Sequence, residues 1–209
     1  MTILWMIRHG ETAWNAEGRV QGQTDVPLSE VGHAQARAVT GALAGERFAA
    51  IYSSDLLRVR QTADPVARAL QLPVTPDARL RERHYGMFET LTYAEVKIRF
   101  PEDYARFRAK ELDYDFRSGE TLRGFFERCV ACLADIAARH EGDSVLVFTH
   151  GGVLEMAYRL ANRLGLASRR DFEIPNAALN RMEISGRDWR VLAWAERSHL
   201  ETALDDLPD

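Results

Sequence analysis

The chain has 209 residues, with 27 lysines and arginines against 31 aspartates and glutamates, a formal net charge of -4. That length fits one domain able to bury most of its apolar surface without disulfide or metal staples. The slight negative charge offers no basic field for nucleic acid or an anionic membrane, and no apolar run approaches the ~20 residues of a membrane span. The first residues lack the basic and apolar segments of a secretory signal, so a reducing cytoplasm is the expected compartment.

The first predicted element is Ile3-Leu4-Trp5-Met6-Ile7, an apolar, partly β-branched run that reads as a buried strand. It ends abruptly in Arg8, His9 and Gly10, and in open α/β sheets the reactive groups collect just beyond the carboxyl ends of such strands. Gly10 is expected to turn the backbone tightly and leave room for a ligand beside the imidazole. Ser29 is a good N-cap for a helix with Val31, Ala34, Ala38, Val39, Ala42 and Leu43 at helical spacing and Gly45 as its stop. Phe48 to Tyr52 reads as a second strand, delivering Ser53, Ser54 and Asp55 to the same rim. There Asp55 is expected to cap a helix running on to Leu70, with Arg58 in its first turns, where aligned N–H dipoles favour an anion. Two strands, each followed by a helix, argue for parallel βαβ units in a doubly wound sheet.

After a short edge-like strand at Leu72-Pro73-Val74 comes a loop carrying Glu82, His84 and Tyr85. Thr92 to Glu111 is polar, aromatic and helical, broken at Pro101, and is the expected lid. Its Lys97, Arg99, Arg106, Arg108 and Lys110 either meet a second anionic group on a substrate or form a solvated face. Thr121 caps a long helix in which Leu122, Phe125, Phe126, Cys129, Val130, Leu133, Ile136 and Ala137 form an apolar stripe. Cys129 and Cys132 have redox or half-zinc spacing, but no second pair exists and Cys129 continues the stripe, so they are expected to pack in the core. Ser144 to Thr149 has the composition of a fully buried parallel strand and ends at His150-Gly151-Gly152, with a helix directly after it. Strands around 180–184 and 191–195 would complete the sheet as a hairpin, and the acidic tail 201–209 is expected to be mobile. His33, His140 and His199 read as structural or exposed, and no internal repeat or linker is evident.

Several fixed residues at fixed spacing carry a resemblance. Arg8-His9-Gly10-Glu11-Thr12 with Trp14-Asn15, Arg19-Val20-Gln21-Gly22-Gln23-Thr24-Asp25-Val26-Pro27-Leu28-Ser29, the block Tyr52 to Ala63, Glu82 to Gly86, and Thr149-His150-Gly151-Gly152 resemble the histidine phosphatase superfamily in its phosphoglycerate-mutase-like branch. The resemblance implies one three-layer α/β/α domain over residues 1–200 with a mostly parallel sheet, a helical lid insertion around 88–118, and the acidic tail 201–209. It implies that Arg58 contacts a phosphoryl group, that Glu82 is the general acid, and that His150 belongs to the catalytic set. His84 and Tyr85 look like the corresponding stretch of cofactor-dependent mutases, while Phe88-Glu89-Thr90 departs from the branch's patterns and bears on substrate choice.

The chemistry follows from the charge of a phosphate ester, which repels water's oxygen, so an enzyme must neutralise the anion and bring a better nucleophile. A neutral imidazole carries no negative charge, so His9 is the expected nucleophile, dividing one displacement into two through a phosphohistidine. Its other ring nitrogen must be held as a donor, by a backbone carbonyl near Gly10. Arg8, Arg58 and a protonated His150 would clamp the phosphoryl oxygens, with Asn15 and the Gly151 amide completing the cradle; Gln21, His84 and Tyr85 are further candidate substrate contacts. Burial and the bound anion would keep Glu82 protonated until it donates to the leaving group. No aspartate cluster with metal-ligand spacing appears, so neither metal nor cofactor is expected. The expected activity is hydrolysis of a small phosphate ester, with no nucleic-acid or membrane partner. A phosphoglycerate mutase is the alternative, although the chain lacks the long insertion with paired arginines of cofactor-dependent mutases; a non-catalytic phospholigand-binding module is a third reading. Oligomeric state, a homodimer included, is left open.

Overall fold

In the computed structural model, residues 1–206 are described and form a six-stranded sheet with helices on both faces. The strands are β1 (Thr2–Arg8), β2 (Ala50–Ser53), β3 (Val74–Pro76), β4 (Ser144–Thr149), β5 (Leu179–Ser185) and β6 (Asp188–Glu196), in the spatial order β3-β2-β4-β1-β5-β6. The first four pair in parallel, whereas β5 joins β1 antiparallel and turns back as a hairpin into β6. The helices are α1 (Ala13–Ala16), α2 (Glu30–Ala42), α3 (Leu57–Leu70), α4 (Tyr93–Arg99), α5 (Pro101–Arg108), α6 (Leu122–Arg139) and α7 (Gly151–Ala161).

The two layers can be read from the period of β4. Val145 and Val147 point into a core shared with Phe125, Leu133 and Ile136 of α6 and with Leu154 of α7. Leu146 and Phe148 point the other way, against Val39 of α2 and Val59 and Val66 of α3. Side chains alternate faces along a strand, so a strand covered on both sides must be apolar at every position, which is why β4 reads as a continuous run. Cys129 and Cys132 are both buried and unbonded to each other, in the α6 layer. A third cluster lies apart from the sheet: Phe88, Phe116, Tyr114, Val96 and Val20 pack with Tyr85, Tyr93 and Phe107 from the segment around α4 and α5. The Thr92 hydroxyl and the Glu95 carboxylate close a capping box at the start of α4, and Pro101 stands at the start of α5.

Three local expectations are corrected. Asp55 does not cap α3; it makes a two-pronged ion pair with Arg81, and Asp25 from the loop before α2 accepts from the Leu57 amide instead (2.6 Å). The room beside Gly10 goes to the protein itself, because a Cβ there would stand 2.6 Å from the Gly32 carbonyl oxygen on α2. Helix α2 ends at Ala42, before Gly45, whose positive φ belongs to the following turn. His140 bonds the Tyr52 hydroxyl and His199 the Ala177 carbonyl, while His33 is exposed. Among the described residues no helix is long and apolar enough to cross a membrane.

Candidate active site

The parallel strands deliver their ends to one rim. His9 follows β1, and its amide donates to the Thr149 carbonyl at the end of β4, so the two strand ends are locked together (2.9 Å). The Gly10 amide donates to the Thr62 hydroxyl on α3 (3.0 Å), which itself donates to the Arg58 carbonyl (2.8 Å). Thr62 therefore ties the His9 turn to the helix that carries Arg58.

Arg8, His9, Asn15, Gln21, Arg58, Glu82 and Tyr85 line one pocket, with Arg19, Val20, Gly22, Tyr93 and Asp206. The His9 ring is buried and its Nδ1 lies 2.7 Å from the Gly10 carbonyl oxygen. A carbonyl only accepts, so Nδ1 carries the proton and Nε2 keeps its lone pair; the tautomer is assigned from that hydrogen bond. Burial, then the positive charges of Arg58 and Arg8, hold the imidazole well below its ordinary pKa, against the opposing bond to Gly10. The shift favours the neutral ring.

Arg58 is wholly buried and donates to the Gly22 and Thr24 carbonyls (2.8 and 2.9 Å), with burial bringing it down to about 10 against the pull of Glu82. It stays charged. Arg8 donates to the Ile174 carbonyl (2.7 Å) and pairs with Asp206. The Nε atoms of both arginines are buried without a hydrogen-bond partner. Asn15 is oriented by its neighbours: its Oδ1 accepts from the Thr12 amide (2.8 Å), which leaves Nδ2 to face the pocket. The Gln21 Oε1 lies 3.0 Å from the Thr12 hydroxyl.

Glu82 sits across from these cations. Its oxygens accept from the Arg83 amide (2.8 Å) and from the Gly152 amide at the start of α7 (3.0 Å). Any side chain at Gly152 would collide with it, since a Cβ there would stand 2.1 Å from Oε1. Burial raises the Glu82 pKa above the usual carboxyl range, and the two amides and the arginines only partly oppose this.

His150 is placed differently from the expectation. Its ring centroid is 5.3 Å from that of His9, but both nitrogens are engaged, Nδ1 by an Arg58 guanidinium N–H (3.2 Å) and Nε2 with the Ser54 hydroxyl (2.9 Å). An Nδ1 that accepts from Arg58 carries no proton, so the ring is neutral where the sequence led to an imidazolium, and burial and then the Arg58 charge push its pKa in the same direction, well below the ordinary value. Gly151 is buried at the start of α7 and does not line the pocket. His84 is 42% exposed and stands 3.6 Å from Glu89, also outside the pocket. Of the cations on the segment around α4 and α5, Arg99 pairs with Glu95 and Arg106 with Glu111. Arg108 and Lys110 instead border a second cavity beyond Tyr85, with Arg83, Phe107, Phe125, Gly152 and Glu155.

Several contributing residues are not among the candidate site residues read from the sequence. Ser54 and Thr62 hold His150 and Gly10; both lie inside the block Tyr52 to Ala63, and that membership is the one signal that marks them. Asn176 donates to the His9 carbonyl (3.0 Å) from 167 positions away. Glu89, visible only as a departure from a pattern, accepts from the Gln23 amide (3.1 Å) and the Thr24 hydroxyl (2.8 Å), and so fixes the loop whose carbonyls hold Arg58. The tail expected to be mobile is instead bonded across the rim over residues 202–206, while its last positions, 207–209, lie outside the described residues. Among the described residues no group of three or more His, Cys, Asp or Glu side chains is arranged to hold a metal ion.

A model of the histidine phosphatase superfamily (branch 1) matches residues 4–197. The Arabidopsis thaliana protein named phosphoglycerate mutase-like protein 4 is 38% identical over 200 residues, covering 94% of this chain and 86% of that one. A second Arabidopsis thaliana protein, named metal-independent phosphoserine phosphatase, is 36% identical over 207 residues, covering 97% and 84%. Among solved structures, Bacillus stearothermophilus YhfR superposes with a TM-score of 0.90 at 32% identity, covering 96% of this chain and all of that one.

Proposed function

The chain belongs to the histidine phosphatase superfamily, branch 1, and we propose that within it the protein is a phosphomonoester hydrolase working through a phosphohistidine on His9. The observation that carries this reading is the lone pair of His9 Nε2 set in a pocket with two buried guanidinium groups, while a buried carboxyl of raised pKa stands opposite. Two buried arginines with unpartnered Nε atoms suit a tetrahedral oxyanion, because their planar forks make paired, charge-assisted bonds to phosphate.

In the first step Nε2 attacks phosphorus as the bond to the ester oxygen breaks, and Glu82 gives its proton to that oxygen. Arg8, Arg58 and the Asn15 amide hold the equatorial oxygens. In the second step water attacks phosphorus and yields its proton to the Glu82 carboxylate, while the N–P bond breaks and its electron pair returns to the ring. His150 acts through Arg58, fixing the guanidinium from behind.

The substrate is a small phosphate ester, and phosphoserine is the first to try because a relative 36% identical carries that activity in its name. A second reading, transfer of the phosphoryl group to another hydroxyl of a phosphoglycerate, has the mutase-like name of the 38% identical relative in its favour. One assay separates the two. Phosphoserine, 3-phosphoglycerate and p-nitrophenyl phosphate are each incubated with wild type and His9→Ala, and free phosphate and isomerised product are measured. Hydrolysis predicts phosphate release that His9→Ala reduces on the order of a thousandfold or more; isomerisation without net phosphate release would establish the second reading.

A further inference from the structure

Residues 202–206 run into the pocket that the proposed hydrolysis needs. Gln35 on α2 donates to the Thr202 carbonyl (2.9 Å), and the Asn176 amide donates to the Leu204 carbonyl (2.9 Å). The Asp205 carboxylate accepts from Arg170 (2.6 Å) and from the Ile174 amide (2.9 Å). The chain then brings the Asp206 carboxylate onto the clamp, one oxygen on the Arg8 guanidinium and the other on the Asn15 Nδ2 (2.8 Å). We propose that Asp206 is an internal ligand of the phosphoryl clamp, so that the tail holds the protein in a self-inhibited resting state and competes with phosphate esters for Arg8 and Asn15. The inference rests on the reading of this pocket as the phosphoryl site.

Three features support competition. Arg8 is 2% exposed and Arg58 is fully buried, so an unfilled clamp leaves two charges short of a counter-ion, and Asp206 supplies one. Its two oxygens take one donor each, as two oxygens of a phosphoryl group would, so both ligands need the same N–H groups. A phosphate dianion and a carboxylate also repel each other at that distance, so the two cannot be bound together. The tail lies outside the sheet and the buried core clusters, and hydrogen bonds and ion pairs fasten it over 202–206, with Leu204 39% exposed. A ligand that binds only the tail-open fraction has its affinity reduced by that fraction.

The test uses the full chain as wild type, Asp206→Asn and Asp205→Asn, with folding checked by circular dichroism. Inorganic phosphate binding is measured by calorimetry and KM with p-nitrophenyl phosphate. Asp206→Asn is expected to bind phosphate about tenfold more tightly with KM falling in parallel, and Asp205→Asn to shift both the same way by less. A second readout is cleavage by a glutamate-specific protease at Glu201, which phosphate is expected to accelerate in wild type by releasing the tail. Phosphate binding that is unchanged or weaker in both variants, or protection of Glu201 by phosphate, overturns the proposal. If wild type turns over p-nitrophenyl phosphate and the variants' KM does not fall, self-inhibition alone fails. If none of the three proteins binds phosphate, the phosphoryl-site reading fails with it.

Discussion

The floor and the cover of the pocket are built in opposite ways. On the floor, His9, Arg58, Glu82 and His150 are all buried. Backbone carbonyls or amides at strand ends, loops and a helix start hold the first three, and Ser54 and Arg58 hold His150. The cover consists of the aromatic cluster around Phe88 and Phe116 on one side and the ion-paired segment 202–206 on the other. The floor holds its groups fixed, which is what the proposed stabilisation of a phosphoryl group requires. Neither side of the cover belongs to a strand of the sheet. The two parts should therefore respond to different substitutions.

The largest effect should come from the floor. Glu82→Gln keeps the shape but removes the transferable proton, and is expected to lower kcat/KM for an alkyl phosphate on the order of a hundred- to ten-thousandfold. The loss should be far smaller for p-nitrophenyl phosphate, whose leaving group departs without a proton. Equal losses on both substrates would remove Glu82 from the role of acid.

The pH profile probes the same division with a smaller change. Burial raises Glu82, so it keeps its proton to higher pH than an exposed carboxyl; burial lowers His9, so it stays neutral to lower pH than an exposed imidazole. The productive pair, protonated Glu82 with neutral His9, therefore exists in mild acid. It is lost as pH rises through the Glu82 pKa, with kcat/KM falling about tenfold per pH unit beyond it. A profile rising from pH 5 to 8 would contradict these assignments.

The smallest of these effects tests the joint between floor and cover. Glu89→Gln weakens the hold on Gln23 and Thr24 and, through their loop, on the carbonyls that fix Arg58. Losing charge-assisted bonds of this kind costs about 1.5–3 kcal/mol, equivalent to roughly a tenfold or greater rise in KM if the loop moves. An unchanged KM together with a lower melting temperature would make Glu89 a stability residue alone.

The floor was legible in the sequence because each piece is contiguous: an apolar strand run ending in Arg8-His9-Gly10, another ending in His150-Gly151-Gly152, and a helix opening with Arg58. The strand–helix alternation conveyed the layers for the same reason, since burial on one or both faces writes a period into the chain. The docking of Asp206 was illegible because its partners lie 191 and 198 positions away, and an acidic tail has the composition of a solvated one. The placing of His150 shows a subtler limit. The motif identified the residue, but its neutral state depends on burial against Arg58 and Ser54, and local sequence does not record depth. The capping of α3 by Asp25 rather than Asp55 was hidden likewise, by the stronger claim of Arg81 on Asp55.

The central claim, covalent transfer to His9, can be tested directly in Glu82→Gln. That variant lacks the base for the water step, so mixing it with p-nitrophenyl phosphate should release a burst of p-nitrophenolate stoichiometric with enzyme. Quenching in alkali and mapping the peptides should then find one added phosphoryl group on His9. Release of p-nitrophenolate without a burst, or a phosphoryl group on any other residue, would contradict the account.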